Sequence, residues 1–288
     1  MNILLELTNK GYAKVTITSI SRNLRHLEKN CDLNNPHETV SFIMNKNCKN
    51  SWKNILLHSY NHFLKHYEID YPLRFLNVNT QHIRIPTTEE LNSIINYARY
   101  PLSLKLRLSK ETGLRPIELV GLKANDFDPK RQTIHPTTAK NGAPRILKIS
   151  DELTALLNRY IIQNDRNPNQ TIFGTTGKAF RESYMTSRNR TSKKLGNPRL
   201  SKIRLYDFRH YFATMLYART KDILYVKRQL GHKRLENTLI YTQLIQFDEN
   251  DNYTCKIATN VKEATQLIEN GFEYVAEKDE TMMFRKRK

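Results

Sequence analysis

LYDFRHYFAT (205–214), LGH (230–232) and NTLIYTQL (237–244) decide how this 288-residue chain reads. Each offers side chains suited to an anionic centre: Tyr206 and Arg209, then His232, then Tyr241. Two upstream strings add to them, TGLRPIEL (112–119) with Arg115 and AKNG (139–142) with Lys140. A phosphodiester repels a nucleophile until its charge is neutralised. Arginine suits that task because it stays charged and presents a planar fork to two oxygens. A tyrosine hydroxyl attacks better as its proton is lost, and adjacent cations favour that loss. The product would be a phosphotyrosine ester, which keeps the bond energy and allows rejoining without ATP or metal. Arg115, Lys140, Tyr206, Arg209, His232 and Tyr241 are therefore the candidate site, and neither a cofactor nor a metal is expected.

Taken singly, each residue has an ordinary explanation. Arg115 and Arg209 read as surface arginines, and Glu118 as an i,i+3 ion-pair partner of Arg115. A lysine at a hairpin tip is usually solvated or touches a phosphate nonspecifically. His232 can cap a helix, and with fifteen tyrosines in the chain a given one is more often core or interface than nucleophile. The case rests on the combination.

The formal net charge is +19 and the sequence pI about 9.8. That balance calls for a polyanionic partner, although charge alone does not choose between DNA, RNA and anionic membrane. Mean hydropathy is −0.65, and no apolar run nears the roughly 18 residues of a membrane span. MNILLELTNKGYAK lacks a basic n-region and a small-residue cleavage site, so no signal peptide is expected. Cys31, Cys48 and Cys255 are odd in number and far apart, which suits a reducing cytoplasm. His58, His62 and His66 stand four apart, without a Cys or acidic partner at ligand spacing, and fit a helix face better than a metal set. Residues 181–234 hold fifteen Lys/Arg against three Asp/Glu, whereas residues 251–288 hold seven of each. The positive field thus concentrates around the candidate site.

Residues 1–80 read as helical: TSISRNLRHLEKNC opens on Thr/Ser cap candidates, and SWKNILLHSYNHFLKHYEI spaces Trp52, Ile55, Leu56, Tyr60, Phe63, Leu64 and Tyr67 at helical intervals. A linker is expected around 74–86, followed by a helix starting at Thr87-Thr88. TTEELNSIINYARY, PLSLKLRLSKETG with Gly113 as cap, and RPIELVGLKANDFD continue as helices. QTIHPTTAK and PRILKIS read as strands joined by an Asn141-Gly142 turn. Helices resume in ELTALLNRYIIQ, SYMTSRNRTSKKLG, DFRHYFATMLYART and ILYVKRQLG. The tail reads as a strand, a helix ended by Gly271 and a hairpin. The fold class is mainly α with a small β-sheet, an α+β arrangement.

These strings resemble the tyrosine recombinase (phage integrase, Xer-like) family over about residues 86–245. The family's first arginine follows Thr-Gly-x and precedes x-x-Glu, as in TGLRPIEL, and its hairpin lysine precedes a turn, as in AKNG. Its second arginine box is matched by YDFRHYFAT, and its Leu-Gly-His and Thr-x-x-Tyr by LGH and TLIY (238–241). The resemblance implies Tyr241 as nucleophile, Arg115 and Arg209 as phosphate clamp, Lys140 as general acid and His232 as phosphate donor. Tyr206 stands where the family usually has histidine; it reads as a phosphate-binding substitute, because a phenol is a poor base near neutrality. His210 matches a histidine of the family pattern and reads as a structural hydrogen-bond partner. The resemblance further implies a helical, SAM-like DNA-clamping domain (1–80), a catalytic domain (86–247) and a C-terminal extension (251–288). It implies double-stranded DNA as partner, self-association as a tetramer on two duplexes, strand exchange through a Holliday junction, and a nucleoid-associated location. Two alternatives are a type IB topoisomerase-like relaxase, which shares the phosphotyrosine chemistry, and a catalytically impaired DNA-binding derivative, prompted by Tyr206.

Overall fold

Apolar side chains at three- and four-residue spacing build two separate cores along the chain. The computed structural model describes residues 2–78, 83–139, 142–242, 253–278 and 281–287; Lys140 and Asn141 lie outside them. Two compact units divide between His82 and Ile83.

The first unit contains α1 (Asn2–Asn9), α2 (Lys14–Glu28), α3 (Pro36–Asn45) and α4 (Asn50–His66). Its core gathers Leu7, Leu27, Ile43, Leu56, Leu57 and Tyr60. Within α4, Leu57 is fully buried while Trp52, Ile55 and Tyr67 of the expected stripe are exposed. The buried face is therefore rotated from the one the spacing suggested. The Thr/Ser pair expected to cap α2 lies inside it, and Thr18 Oγ1 donates to the Lys14 carbonyl at 2.8 Å. Helix α3 was not foreseen, although Asn35, Pro36 and Glu38 form a legible start: the Asn35 side chain accepts from Glu38 N–H, with proline in the first turn. One buried polar pair crosses this core, Asn23 donating to Ser59 at 2.8 Å. The three spaced histidines go to separate partners: His58 stacks on Phe75, His62 meets Tyr12 edge-on, and His66 pairs with Glu6.

The second unit begins with α5 (Thr88–Tyr97), whose Thr87/Glu90 capping box answers the expectation at Thr87-Thr88. Helices α6 (Leu102–Thr112) and α7 (Pro116–Gly121) follow. Strands β1 (Phe127–Asp128), β2 (Thr133–Ile134) and β3 (Leu147–Lys148) form a short antiparallel sheet in that order. The pairs Thr133↔Lys148 and Ile134↔Leu147 set the register of the expected hairpin. Between them, Gly142 N–H reaches the Ala139 carbonyl at 3.2 Å. Regular pairing is shorter than the two strands read from sequence. Helices α8 (Asp151–Gln163), α9 (Gly177–Lys194), α10 (Leu205–Thr220), α11 (Ile223–Leu230) and the single turn α12 (Glu236–Leu239) complete this part. Helix α9 starts six residues earlier than SYMTSRNRTSKKLG suggested, because Thr176 caps Ala179 N–H. The tail forms β4 (Tyr253–Ala258), α13 (Val261–Glu269), β5 (Glu273–Lys278) and β6 (Thr281–Arg287), with strand order β4-β6-β5. Its small core holds Ala258, Ala264 and Phe284. No helix among the described residues is long and apolar enough to cross a membrane.

Gly113 ends α6 with φ +61°, and an added Cβ would lie 2.4 Å from a ring carbon of Phe212 on α10. Only glycine supplies both the left-handed turn and the close approach. Gly113→Ala is expected to lose roughly 2 kcal/mol or more of stability through strain and overpacking; urea unfolding of the two chains measures it.

Candidate active site

Helix α10 is aimed by its own first turn. The Asp207 carboxylate accepts from Arg204 N–H at 2.8 Å and from the Arg204 guanidinium at 2.9 Å. That capping turn leaves Arg209 pointing inward, only 1 % exposed. Its guanidinium donates to the carbonyls of Gly113 at 2.7 Å and Leu230 at 2.6 Å. Both carbonyls lie at helix C-termini, where the backbone dipole is negative, and this offsets part of the cost of burying the cation. Burial and the neighbouring charge of Arg115 lower the Arg209 pKa to about 10, so it still carries its charge at neutral pH.

Arg115 is held by Glu118. Its backbone N–H donates to Glu118 at 3.0 Å and its guanidinium at 2.7 Å. The completely buried Glu118 carboxylate also takes Arg145 at 2.6 Å and the Ala139 N–H at 3.2 Å. Burial alone would raise the Glu118 pKa; the hydrogen bond and charge of Arg145, joined by Arg115, overcome it and hold the group at about 2. Arg145 was missed from sequence. The signal was the alternation Arg145, Leu147, Ile149, all three of which are buried: period two places the arginine on the inward face.

The hairpin base meets the LGH turn through backbone. Gly231 caps α11 at φ +64°, and its carbonyl accepts from Ala143 N–H at 3.2 Å. A Cβ on Gly231 would stand 2.8 Å from the Ala143 carbonyl and 2.9 Å from an Arg145 nitrogen. His232 follows at once. Its Nδ1 pairs with Thr238 Oγ1 at 2.9 Å, and burial with the charges of Arg209, Arg115 and Arg145 pushes its pKa down to about 4. The ring is therefore neutral near pH 7. When Thr238 Oγ1 is the donor to Nδ1, the ring proton sits on Nε2, the form that donates to an anionic oxygen.

Tyr241 is 1 % exposed and packs with Ala213, Leu216, Val226 and Leu230. Its hydroxyl bonds His210 Nδ1 at 3.1 Å. Burial raises its pKa, while the charges of Arg209 and Arg115 act to lower it; the phenol thus lies within reach of both guanidinium fields. Tyr206 is more open, and its ring meets His210 edge-on with centroids 5.1 Å apart. Among the described residues, then, Arg115, Arg209 and His232 lie around Glu118 and Arg145, while Tyr241 lies within the fields of Arg209 and Arg115 and is joined to Tyr206 through His210. Lys140 lies outside the described residues, next to Ala139, whose N–H is fixed by Glu118.

The sequence model described as the phage integrase family matches residues 84–246, more than half of the chain. The chain belongs to the phage integrase family. A tyrosine recombinase XerA of Saccharolobus solfataricus is 33% identical over 150 residues, covering 52% of this chain and 48% of that protein. A XerA of Pyrococcus horikoshii is 28% identical over 161 residues, covering 55% and 56%. The chain thus spans about half the length of these curated relatives. Among solved structures, the Tn1549 transposon integrase in complex with transposon right end DNA superposes with a TM-score of 0.67. It is 16% identical and covers 86% of this chain and 96% of its own. The XerH recombinase bound to difH substrate gives 0.54 at 21% identity, covering 74% and 68%. These likenesses establish the fold expected from sequence, mainly helical with small antiparallel sheets.

Glu118 makes the site's stability depend on acidity. Its folded pKa of about 2 lies below the ordinary 4.5, so its contribution is full above about pH 4.5 and is lost as pH falls toward 2. In Glu118→Gln that segment of the pH-stability curve is expected to flatten, and the variant to be less stable at neutral pH. Urea midpoints of both chains between pH 2 and 7 test this.

Proposed function

We propose that this chain is a site-specific DNA recombinase that cleaves and rejoins double-stranded DNA through a 3′-phosphotyrosine intermediate. The observation that carries the proposal is the Tyr241 hydroxyl, held by His210 within the fields of Arg209 and Arg115. The Tyr241 oxygen attacks the scissile phosphorus, the bond to the 5′-oxygen breaks, and the phosphoryl group moves to the phenol. Arg115 and Arg209 neutralise the charge that grows on the non-bridging oxygens, usually the largest part of such catalysis. Neutral His232 donates to one of those oxygens, and the exposed Tyr206 hydroxyl to another. Lys140, by resemblance, protonates the leaving 5′-oxygen. Attack by a different 5′-hydroxyl reverses the sequence and exchanges strands.

Residues 1–80 are proposed to clamp DNA, and the tetramer on two duplexes follows from the family likeness. The basic stretch 181–234 supports the DNA assignment, since phosphate contacts dominate such affinity. The charge-neutral tail is better suited to contact with protein. By the family likeness, the enzyme would work where double-stranded DNA is held, at the nucleoid.

The deciding experiment incubates the chain with a library of nicked duplexes and sequences the DNA that becomes covalently attached. Adduct is expected from the natural chain and none from Tyr241→Phe, which should keep its DNA affinity. A Tyr241→Phe protein that still formed adduct would refute the assignment. Arg209→Ala or Arg115→Ala should slow adduct formation by roughly 10²-fold or more, as for loss of a transition-state charge partner. Tyr206→His should remain active in the same assay, since imidazole also donates to phosphate.

A further inference from the structure

The family pattern leaves the nucleophile's proton without an acceptor in this chain, because the residue at 206 is a phenol. His210 supplies a base in the right place. It lies one helical turn beyond Tyr206, 8 % exposed, with Nδ1 3.1 Å from the Tyr241 hydroxyl. We propose that His210 is a further catalytic residue: its Nδ1 takes the Tyr241 hydroxyl proton as the oxygen attacks phosphorus. This rests on the recombinase reading and adds to it a role for a side chain that Tyr206 itself fills poorly.

The step balances within the site. The Tyr241 oxygen forms its bond to phosphorus, its proton passes to His210, and the electron pair of the broken bond leaves on the 5′-oxygen, protonated by the acid assigned to Lys140. In rejoining, the phenolate leaves phosphorus and recovers the proton from the imidazolium. An unreacted phenol holds its proton more tightly than a buried imidazole would. The transfer therefore accompanies bond formation to phosphorus, which makes the phenolic proton strongly acidic.

The ring must be neutral to act, and its surroundings keep it so. Burial lowers the His210 pKa from its ordinary value; Asp207 opposes this, and Arg204 and Arg209 add to it. Tyr206 and Tyr241 complete the ring's contacts on either side. Of the helices packed on α10, α6 brings Lys110, whose ammonium lies over the Tyr211 ring at 5.6 Å, and α11 leads into His232.

The test uses duplexes whose scissile 5′-bridging oxygen is replaced by sulfur, so that the leaving group needs no acid. On these, the natural chain's cleavage rate should climb with pH to a plateau, with the midpoint of the rise below the ordinary imidazole pKa. His210→Gln keeps a hydrogen-bonding side chain but no comparable base; it should lower the plateau by roughly 10²-fold, the low end of base catalysis, and remove that inflection. An undiminished rate, a faster one, or an inflection lost in His232→Gln but kept in His210→Gln overturns the role of His210 while leaving covalent cleavage intact. No adduct from the natural chain on either oxygen or sulfur duplexes overturns the cleavage reading itself. A second measurement needs no His210 variant. If the phenol donates to neutral Nδ1, the bond favours the neutral ring, so Tyr241→Phe should raise the His210 pKa seen by NMR. An unchanged or lower value means that the imidazole is not the acceptor and overturns the proposal.

Discussion

A single carboxylate, Glu118, holds the site together. Three guanidinium groups, Arg115, Arg145 and Arg209, influence one another's surroundings in the same buried region. Like charges at low dielectric repel strongly. Glu118 answers two of them directly and fixes the Ala139 N–H as well. Arg209 is answered instead by the carbonyl ends of two helices. The arrangement remains positive, three cations to one anion, and a phosphodiester is the kind of ligand that would balance it. Removing Glu118 would therefore cost both stability and the orientation of Arg115.

This electrostatic frame explains the state of the other groups. Burial, joined by the same cations that act to lower the Tyr241 pKa, keeps the His232 ring neutral. Burial works in the opposite sense on Tyr241 and holds its proton in place. The Tyr241 phenol is thus held protonated by burial, against the pull of the two arginines.

Much of this was legible in the sequence because local chemistry and global role coincide. Gly113 and Gly231 stand at helix ends, Thr87 and Glu90 form a capping box, and the hairpin between the two expected strands pairs at its base through Thr133↔Lys148, with Gly142 N–H on the Ala139 carbonyl; Asn141 of the expected turn lies outside the described residues. The ordered strings from TGLR to TLIY placed four candidate residues that the fold gathers. What stayed hidden depended on contacts between distant segments. Arg145 reads as one more basic residue until β3 turns it onto Glu118, 27 positions away. His210 reads as a hydrogen-bond partner from its neighbours, but the group it bonds is set by the turn after α12 delivering Tyr241, 31 positions on. In α4 the periodicity identified the helix and the centre of its buried face, Leu56, Tyr60, Phe63 and Leu64, but not Leu57, which three neighbouring helices also cover while Trp52 stays exposed.

The join between Ala143 and Gly231 is made of main-chain atoms. Such a seam leaves no room for a side chain at 231, where a Cβ would stand 2.8 Å from the Ala143 carbonyl. A shift of the turn that ends α11 would therefore pass through main chain to the segment carrying Arg145, and from there to Glu118, with no side chain in between.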